Sequence, residues 1–249
     1  MKRVCWTSKQ VEQHEEAAKI LCEIKDEVFE LMRQKQNISE YEVVEFILSR
    51  FNEENLVTDP DIPIVAFREN TSNVHYFPEK KYAKTLKPNS LIMLDIWAKL
   101  NKKGAPFADI TWMAWKGGEI PEDIQKGFEA VIVSRDNDLK YVNRSLKKKM
   151  RVKSRELARV MNEVTLSSGM QDFIPHSYGH SLGTTTCHGR RGRFLVGSRI
   201  FVPTNIAYTI EPGIYIEKKF GFRSEIDFYI DENKELKITT EVQKEIVRI

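Results

Sequence analysis

Apolar residues in the first third of the chain fall at helical spacing. Leu21, Ile24, Val28, Leu31 and Met32 recur every three or four residues, which lays one apolar stripe along an amphipathic helix. "NISEYEVVEFILSRF" follows, with Ser39 and, three residues later, Glu42 forming a capping box that opens a second helix. From "DIPIVAF" onward β-branched and aromatic runs take over. "NSLIMLDIWAKL" and "ADITWMAW", joined by the turn-rich "NKKGAP", predict a β-hairpin. Pro121 predicts the first residue of a third helix through "EDIQKGFEAVIVSR". "SRELARVMNEVTLSSG" predicts a fourth, with Ser154 as its cap and Gly169 just past its end. The C-terminal part is strand-rich again, in "RIFVPT", "IAYTIEPGIYIE", "FRSEIDFYID" and "EVQKEIVRI". Helices and antiparallel strands are segregated along the chain, which predicts an α+β fold.

Composition narrows the function classes. At 249 residues, with 41% hydrophobic and 30% charged residues, the chain suits an ordered globular protein. Its 39 basic residues are nearly matched by 36 acids, so nucleic acid is not an expected partner. The basic run "LKKKMRVKSR" reads as a solvated helix end and loop. No apolar run approaches the roughly 18 residues that span a bilayer, so a membrane is not expected either. "MKRVCWTSKQVEQHEE" lacks the apolar stretch of a secretion signal. Three scattered cysteines, Cys5, Cys22 and Cys187, do not make a disulfide framework; the default compartment is a reducing cytoplasm. No G-x-G-x-x-G or P-loop motif is present to anchor a nucleotide.

The chemistry concentrates elsewhere. Three of the five histidines, His176, His180 and His188, crowd into "PHSYGHSLGTTTCHG", residues 175–189. An H-E-x-x-H zinc helix is excluded because residue 177 is Ser177 and because the glycines and threonines here disfavour a helix. Strand and loop are expected instead, with glycines admitting close backbone approach. Four carboxylates also sit in apolar frames: Asp95 in "LIMLDIWA", Asp109 opening "DITWMAW", Glu211 before Pro212-Gly213, and Glu225 in "FRSEIDFYI". Taken singly, each fits an exposed position on a half-solvated strand. Four together with a histidine cluster point to a shared metal site, since burying such groups unpaired costs several kcal/mol.

In that order, Asp95, Asp109, His180, Glu211 and Glu225 resemble the ligand set of the pita-bread metallopeptidases: methionine aminopeptidases, aminopeptidase P and prolidase. The surrounding words match. "VHYFP" around His75, "GHSLG", "TIEPGIY" and "FRSEID" resemble the family's motifs from about Ile62 to the C-terminus. The resemblance implies the pita-bread (creatinase/aminopeptidase) fold, with curved antiparallel sheets flanked by helices. It implies a single catalytic domain over residues 1–249, without a separate N-terminal domain.

The resemblance further implies two divalent metal ions. The oxygen-rich donor set suits Mn, Co, Fe or Zn. By family analogy Asp95 holds one ion, His180 and Glu211 the other, and Asp109 and Glu225 bridge them. A water shared between ions about 3.5–4 Å apart would then attack the scissile carbonyl. Glu211 is implied as the proton shuttle, and His75 and His188 as groups that stabilise the intermediate. Three departures stand out. His180 and His188 are eight apart (188 − 180), one more than the family pattern; Asp95 and Asp109 are fourteen apart (109 − 95), a slightly long hairpin; and Trp112 stands where these peptidases often carry arginine. His176 and Arg223, the latter two before Glu225, resemble the substrate-side residues of the proline-directed branch. The expected activity is removal of an N-terminal residue from short peptides at Xaa-Pro bonds, with a homodimer as an expected assembly. Methionine aminopeptidase, creatinase-like amidine hydrolysis and a non-catalytic binding module are the alternatives.

Overall fold

The computed structural model describes residues 5–169 and 176–249; residues 1–4 of the expected N-terminal segment and Pro175 of the histidine stretch lie outside them. The predicted first helix is α1, Ser8–Gln34, opened by a capping box between Thr7 and Gln10. The second is α2, Glu40–Glu53, capped by Ser39 and Glu42 as the sequence predicts. A short strand β1 (Leu56–Val57) and β2 (Ile64–Phe67) precede the predicted hairpin, β3 (Ser90–Leu100) and β4 (Ala108–Lys116). Then come α3 (Glu122–Lys147) and α4 (Ser154–Ser167). Pro121 is the residue before α3 rather than its first, and Ser154 is the first residue of α4 rather than its cap. The Ser154 hydroxyl instead donates to Ser198 at 2.6 Å. Gly169 lies beyond α4 at φ +69°, the left-handed conformation that suits a glycine stop.

The C-terminal half supplies β5 (His180–Leu182), β6 (His188–Arg193), β7 (Tyr208–Ile210), β8 (Gly213–Ile216), β9 (Phe220–Arg223), β10 (Ile226–Ile230), β11 (Leu236–Ile238) and β12 (Val247–Arg248). "RIFVPT" makes isolated bridges rather than a strand. One sheet runs β1-β3-β4-β12 with β2 also on β3, a second runs β11-β10-β7-β5-β6, and β8-β9 form a hairpin. The architecture is α+β, as expected. Pairing is antiparallel except that β12 runs parallel to β4, so one sheet is mixed.

Strand alternation sorts the two faces of the β3–β4 hairpin. Ile92, Leu94, Ile96, Ile110 and Ala114 pack with α1 and α2 in one core, whereas Leu91, Met93, Trp97, Met113 and Trp115 belong to the other. Asp95 and Asp109 are odd-numbered and therefore share the second face. Glycine 127 lets α3 lie directly against β9: a Cβ there would overlap the Phe222 ring.

Candidate metal centre

All four carboxylates singled out in the sequence are buried, with Asp95 and Asp109 6% exposed, Glu211 8% and Glu225 3%. The reading of each as an exposed residue on a half-solvated strand is thereby corrected. Both faces of β3 and β4 are covered, so a carboxylate in these strands has no solvated side to occupy.

Four elements bring the residues together. Asp95 and Asp109 come from the hairpin. His180 opens β5, Glu211 follows β7, and Glu225 lies between β9 and β10, tied to β4 by its N–H donating to the Thr111 carbonyl at 3.2 Å. Glycines permit the approach: a Cβ at Gly179 would overlap the Thr209 carbonyl, and one at Gly183 the Thr186 carbonyl. Donor atoms of Asp109, His180 and Glu225 all lie within 4.8 Å of one another. His180 Nε2 is 3.7 Å from Asp109 Oδ2 and 3.6 Å from Glu211 Oε1. His180 Nδ1 is 3.2 Å from the Ser181 carbonyl, which can only accept, so Nδ1 carries the proton and Nε2 keeps its lone pair. Asp95 pairs with Arg223, whose Nε also donates to Thr111 Oγ1 at 3.1 Å.

The electrostatics are unbalanced. Burial raises the pKa of Asp109 and Glu225 well above the carboxylate range, and repulsion from neighbouring carboxylates adds to it. Burial, then Asp95, pushes Glu211 up to about 8, against the pull of Arg223. Asp95 is raised by burial despite Arg223. Four buried carboxylates face one buried guanidinium, Arg223, with Arg193 exposed at the cavity edge, so negative charge is in excess if all ionise. Asp109 Oδ1 and Glu225 Oε1 are buried without a hydrogen-bond partner. Orphaned carboxylate oxygens around an unprotonated imidazole nitrogen are what divalent cations would satisfy, so the donor set fits two such ions.

The remaining predicted residues surround a cavity of about 630 Å3. His188 stands edge-on to His180, with ring centroids 4.1 Å apart. Between them the β5–β6 register is irregular: His180 pairs with Arg193 but Leu182 with His188. His176 packs edge-on against Tyr215 and lies 3.7 Å from Glu211. Its Nδ1 donates to the Ser177 carbonyl at 2.6 Å and its Nε2 is buried without a partner. Burial, followed by Arg223, depresses its pKa to about 3, so it is neutral at pH 7. His75 sits exposed on a turn at the cavity wall rather than packed on its aromatic neighbours. Arg223 is committed to Asp95, Thr111 and Tyr215, which makes it a positioning group for the ligands. Trp112 points to the opposite face, its ring 3.8 Å from Lys25 Nζ, and takes no part in the site.

Sequence reasoning missed the partners of the ligands. Thr111 Oγ1 donates to Glu225 Oε2 at 2.7 Å. Thr209 Oγ1 accepts from the His180 N–H at 3.1 Å and donates to Glu211 Oε1 at 3.3 Å. Asp227 Oδ2 accepts from the Asp109 N–H at 2.8 Å, and Cys187 Sγ donates to Asp109 Oδ2 at 3.1 Å. The threonines and Asp227 each lie two residues from a ligand, on the same strand face, so the period-two rule is the signal that finds them. "GHSLG" also satisfies the letters G-x-S-x-G of a nucleophile elbow. Ser181 is instead buried in β5 with its Oγ accepting from the Arg191 N–H at 2.9 Å, not exposed on a strand-to-helix turn.

A model of metallopeptidase family M24 matches residues 12–232. The chain belongs to this family. Family M24 enzymes work with two divalent metal ions, which agrees with the donor set above. The curated relatives include an uncharacterised peptidase of Staphylococcus haemolyticus, 24% identical over 203 residues, covering 80% of this M24 chain and 52% of that protein. Among solved structures, a dipeptidase from Pyrococcus horikoshii superposes with a TM-score of 0.82 at 24% identity, covering 99% of this chain and 64% of that one. An X-Pro aminopeptidase from Thermotoga maritima gives 0.83 at 22%, covering 99% and 65%. The M24 chain thus spans about half the length of the staphylococcal relative and under two thirds of these solved chains. Its fold is the pita-bread fold expected from the motifs. Among the described residues no helix is long and apolar enough to cross a membrane.

Proposed function

We propose that this M24 protein is a dinuclear-metal peptidase that removes the N-terminal residue of short peptides at Xaa-Pro bonds. The observation that carries it is the buried convergence of Asp95, Asp109, His180, Glu211 and Glu225, two of them with orphaned oxygens, at one cavity. Asp109, His180, Glu211, Glu225 and Asp95, the last steadied by Arg223, would hold the ions. Bound there, two divalent ions would supply Lewis-acid polarisation of the scissile carbonyl and an acidified water.

The chain's own residues do the rest. Glu211 lines the cavity beside His180 and is the group that would pass a proton to the leaving amine. Neutral His176 offers a bare Nε2 as a hydrogen-bond acceptor inside the cavity. His188, against His180, and His75, on the same cavity, are the groups that orient the peptide and stabilise the developing oxyanion. Proline specificity is supported by the His176 and Arg223 positions and by the names of the solved relatives.

The test is metal-dependent hydrolysis of Met-Ala-Ser, Ala-Pro and Ala-Pro-Ala. Turnover of the proline peptides that depends on added Mn, Co or Fe is the expected result. Preference for Met-Ala-Ser would move the protein to the methionine aminopeptidase branch. Failure to bind any divalent ion under anaerobic conditions would remove the enzyme reading altogether.

A further inference from the structure

Four residues on the wall of the metal cavity close a ring of contacts. Trp97 Nε1–H donates to Asp59 Oδ1 at 2.7 Å. The other oxygen, Asp59 Oδ2, accepts from the Cys187 N–H at 2.9 Å. The Cys187 thiol donates in turn to Oδ2 of the candidate ligand Asp109 at 3.1 Å. Asp109 completes the ring, because it is the cross-strand partner of Trp97 in the β3–β4 hairpin. All four line the cavity; Trp97, Asp109 and Cys187 are buried and Asp59 is half-buried.

The ring ties the connection between β1 and β2 to the one between β5 and β6, 128 positions away. The second connection is pinned from inside as well. Gly183 N–H donates to the Cys187 carbonyl at 2.9 Å, and Phe107 N–H to the Gly183 carbonyl at 2.9 Å. Cys187 thus has its N–H, its carbonyl and its thiol all engaged, which holds the thiol on Asp109. A buried cysteine that only filled space would need no acceptor, since a thiol packs as a small apolar group. Here it meets a carboxylate and decides which oxygen is left open. With Oδ2 held, Oδ1 is buried without a partner. A carboxylate can turn about its last side-chain bond, and one hydrogen bond to Oδ2 sets that turn. A weak donor suits the task, because it orients the group without competing strongly with a cation for its charge.

We infer that Cys187 and Asp59 are positioning residues of the metal centre: the thiol sets the turn of the Asp109 carboxylate, and Asp59 holds the thiol in place while tying it to Trp97. This rests on the dinuclear reading proposed above. Divalent-ion affinity then depends on Asp59, whose hydrogen bonds among the described residues reach no candidate ligand.

The experiment is calorimetric titration of Mn2+ into the metal-free full chain and its variants, at matched circular dichroism. Cys187→Ala removes the donor and should weaken binding by about tenfold or more, the usual size for a partner of a metal ligand. Cys187→Ser keeps a donor and should return the affinity to within about threefold of wild type. Asp59→Ala should also cost about tenfold. In the Cys187→Ala background it should cost less than about threefold, because the thiol through which it acts is gone. Infrared spectroscopy reads the link directly. The S–H stretch that disappears in Cys187→Ser should move to higher frequency in Asp59→Ala, as the bond to Asp109 weakens. Should Asp59→Ala not fold, Asp59→Asn carries the same comparisons with a smaller loss, since one of the two N–H donors then faces the amide NH2. Wild-type affinity in Cys187→Ala, Cys187→Ser as weak as Cys187→Ala, losses that multiply in the double variant, or an unmoved S–H stretch overturns the inference. So does a thiolate-to-metal charge-transfer band on Co2+ loading, which would make Cys187 itself a ligand. A wild-type chain that binds no divalent ion removes the dinuclear reading first, and the inference with it.

Discussion

Glutamate 40 is the place where a single atom exchange should report on the whole cavity wall. Its side chain is fully buried at the start of α2. Oε1 accepts from the Phe67 N–H at 2.6 Å and from Asn70 Nδ2 at 2.9 Å. Oε2 accepts from the Tyr76 hydroxyl and the Lys84 N–H, both at 2.7 Å, and from Asn70 Nδ2 at 3.1 Å. One carboxylate thus pins both ends and the middle of the segment 67–84, which carries Val74, His75 and Phe77 of the cavity lining. In Glu40→Gln the two backbone donors still face different atoms of the side chain. Whichever way the amide turns, its NH2 meets the N–H of Phe67 or that of Lys84. A charge-assisted bond is lost, worth about 1.5–3 kcal/mol, and a buried donor is left unsatisfied at about 1–3 kcal/mol. We expect a net loss of about 3 kcal/mol, hence roughly 6–12 °C in Tm for a chain of this size. Hydrogen exchange should accelerate in peptides spanning 67–84 and not in β3 or β4. With a proline peptide, KM should rise more than kcat falls, because the wall and not the metal centre is loosened. Tyr76→Phe, which removes one donor of the four groups, should cost only about 1 kcal/mol. A loss below about 0.5 kcal/mol for Glu40→Gln, within the range of an ordinary surface substitution, or exchange that accelerates uniformly, would refute the reasoning.

Other perturbations separate stability from chemistry. His14 is buried with Nδ1 2.8 Å from the Phe107 carbonyl and Nε2 2.8 Å from the Thr239 hydroxyl, and burial lowers its pKa from 6.5 to about 4. The unfolded chain therefore takes up this proton first on acidification, so stability is full above pH 6.5 and falls towards pH 4, by up to about 3 kcal/mol from this group. His14→Gln should flatten the acid limb of the Tm–pH curve, and an unchanged slope would count against the assignment. Asp109→Asn should abolish tight Mn binding by calorimetry yet stabilise the metal-free protein by about 1 kcal/mol, roughly 2–4 °C in Tm, since it removes the cost of burying or neutralising a carboxylate that burial and its neighbours disfavour. Thr111→Val breaks the bonds to Glu225 and Arg223, and should lower metal affinity by about 10–100-fold without unfolding the chain.

How far the sequence reaches is set by the range of the physics behind each feature. α2 was legible because its capping box is local: Ser39 and Glu42 bond within one turn. The β3–β4 hairpin was legible because its turn and its pattern lie in one contiguous stretch. Ser154 misled because a cap and a first-turn residue differ by one position, and here a distant hydroxyl, Ser198, decides which the serine is. The burial of each carboxylate could not be read from its own strand; only the four together with the histidine cluster pointed to it. Asp95 sits in a strand covered on one face by α1 and α2 and on the other by residues that include Arg223, 128 positions away. Burial is a property of that coverage and not of "LIMLDIWA".

The ligand partners show the middle ground. Each of Asp109, Glu211 and Glu225 has a polar residue two positions away on the same face of the chain: Thr111, Thr209 and Asp227. Strand alternation makes those positions readable once the ligands are known, because a side chain that turns inward beside a buried carboxylate must itself be satisfied. The pairing mostly crosses between strands, however. Thr111 serves Glu225, Thr209 serves both Glu211 and His180, and Asp227 serves the backbone of Asp109. Thr111, Thr209 and Asp227 thus each hold a ligand from another segment, and Thr209 holds its own neighbour Glu211 as well. A substitution at Thr209 should therefore disturb His180 and Glu211 together, while one at Thr111 or Asp227 reaches a ligand more than a hundred residues away in sequence.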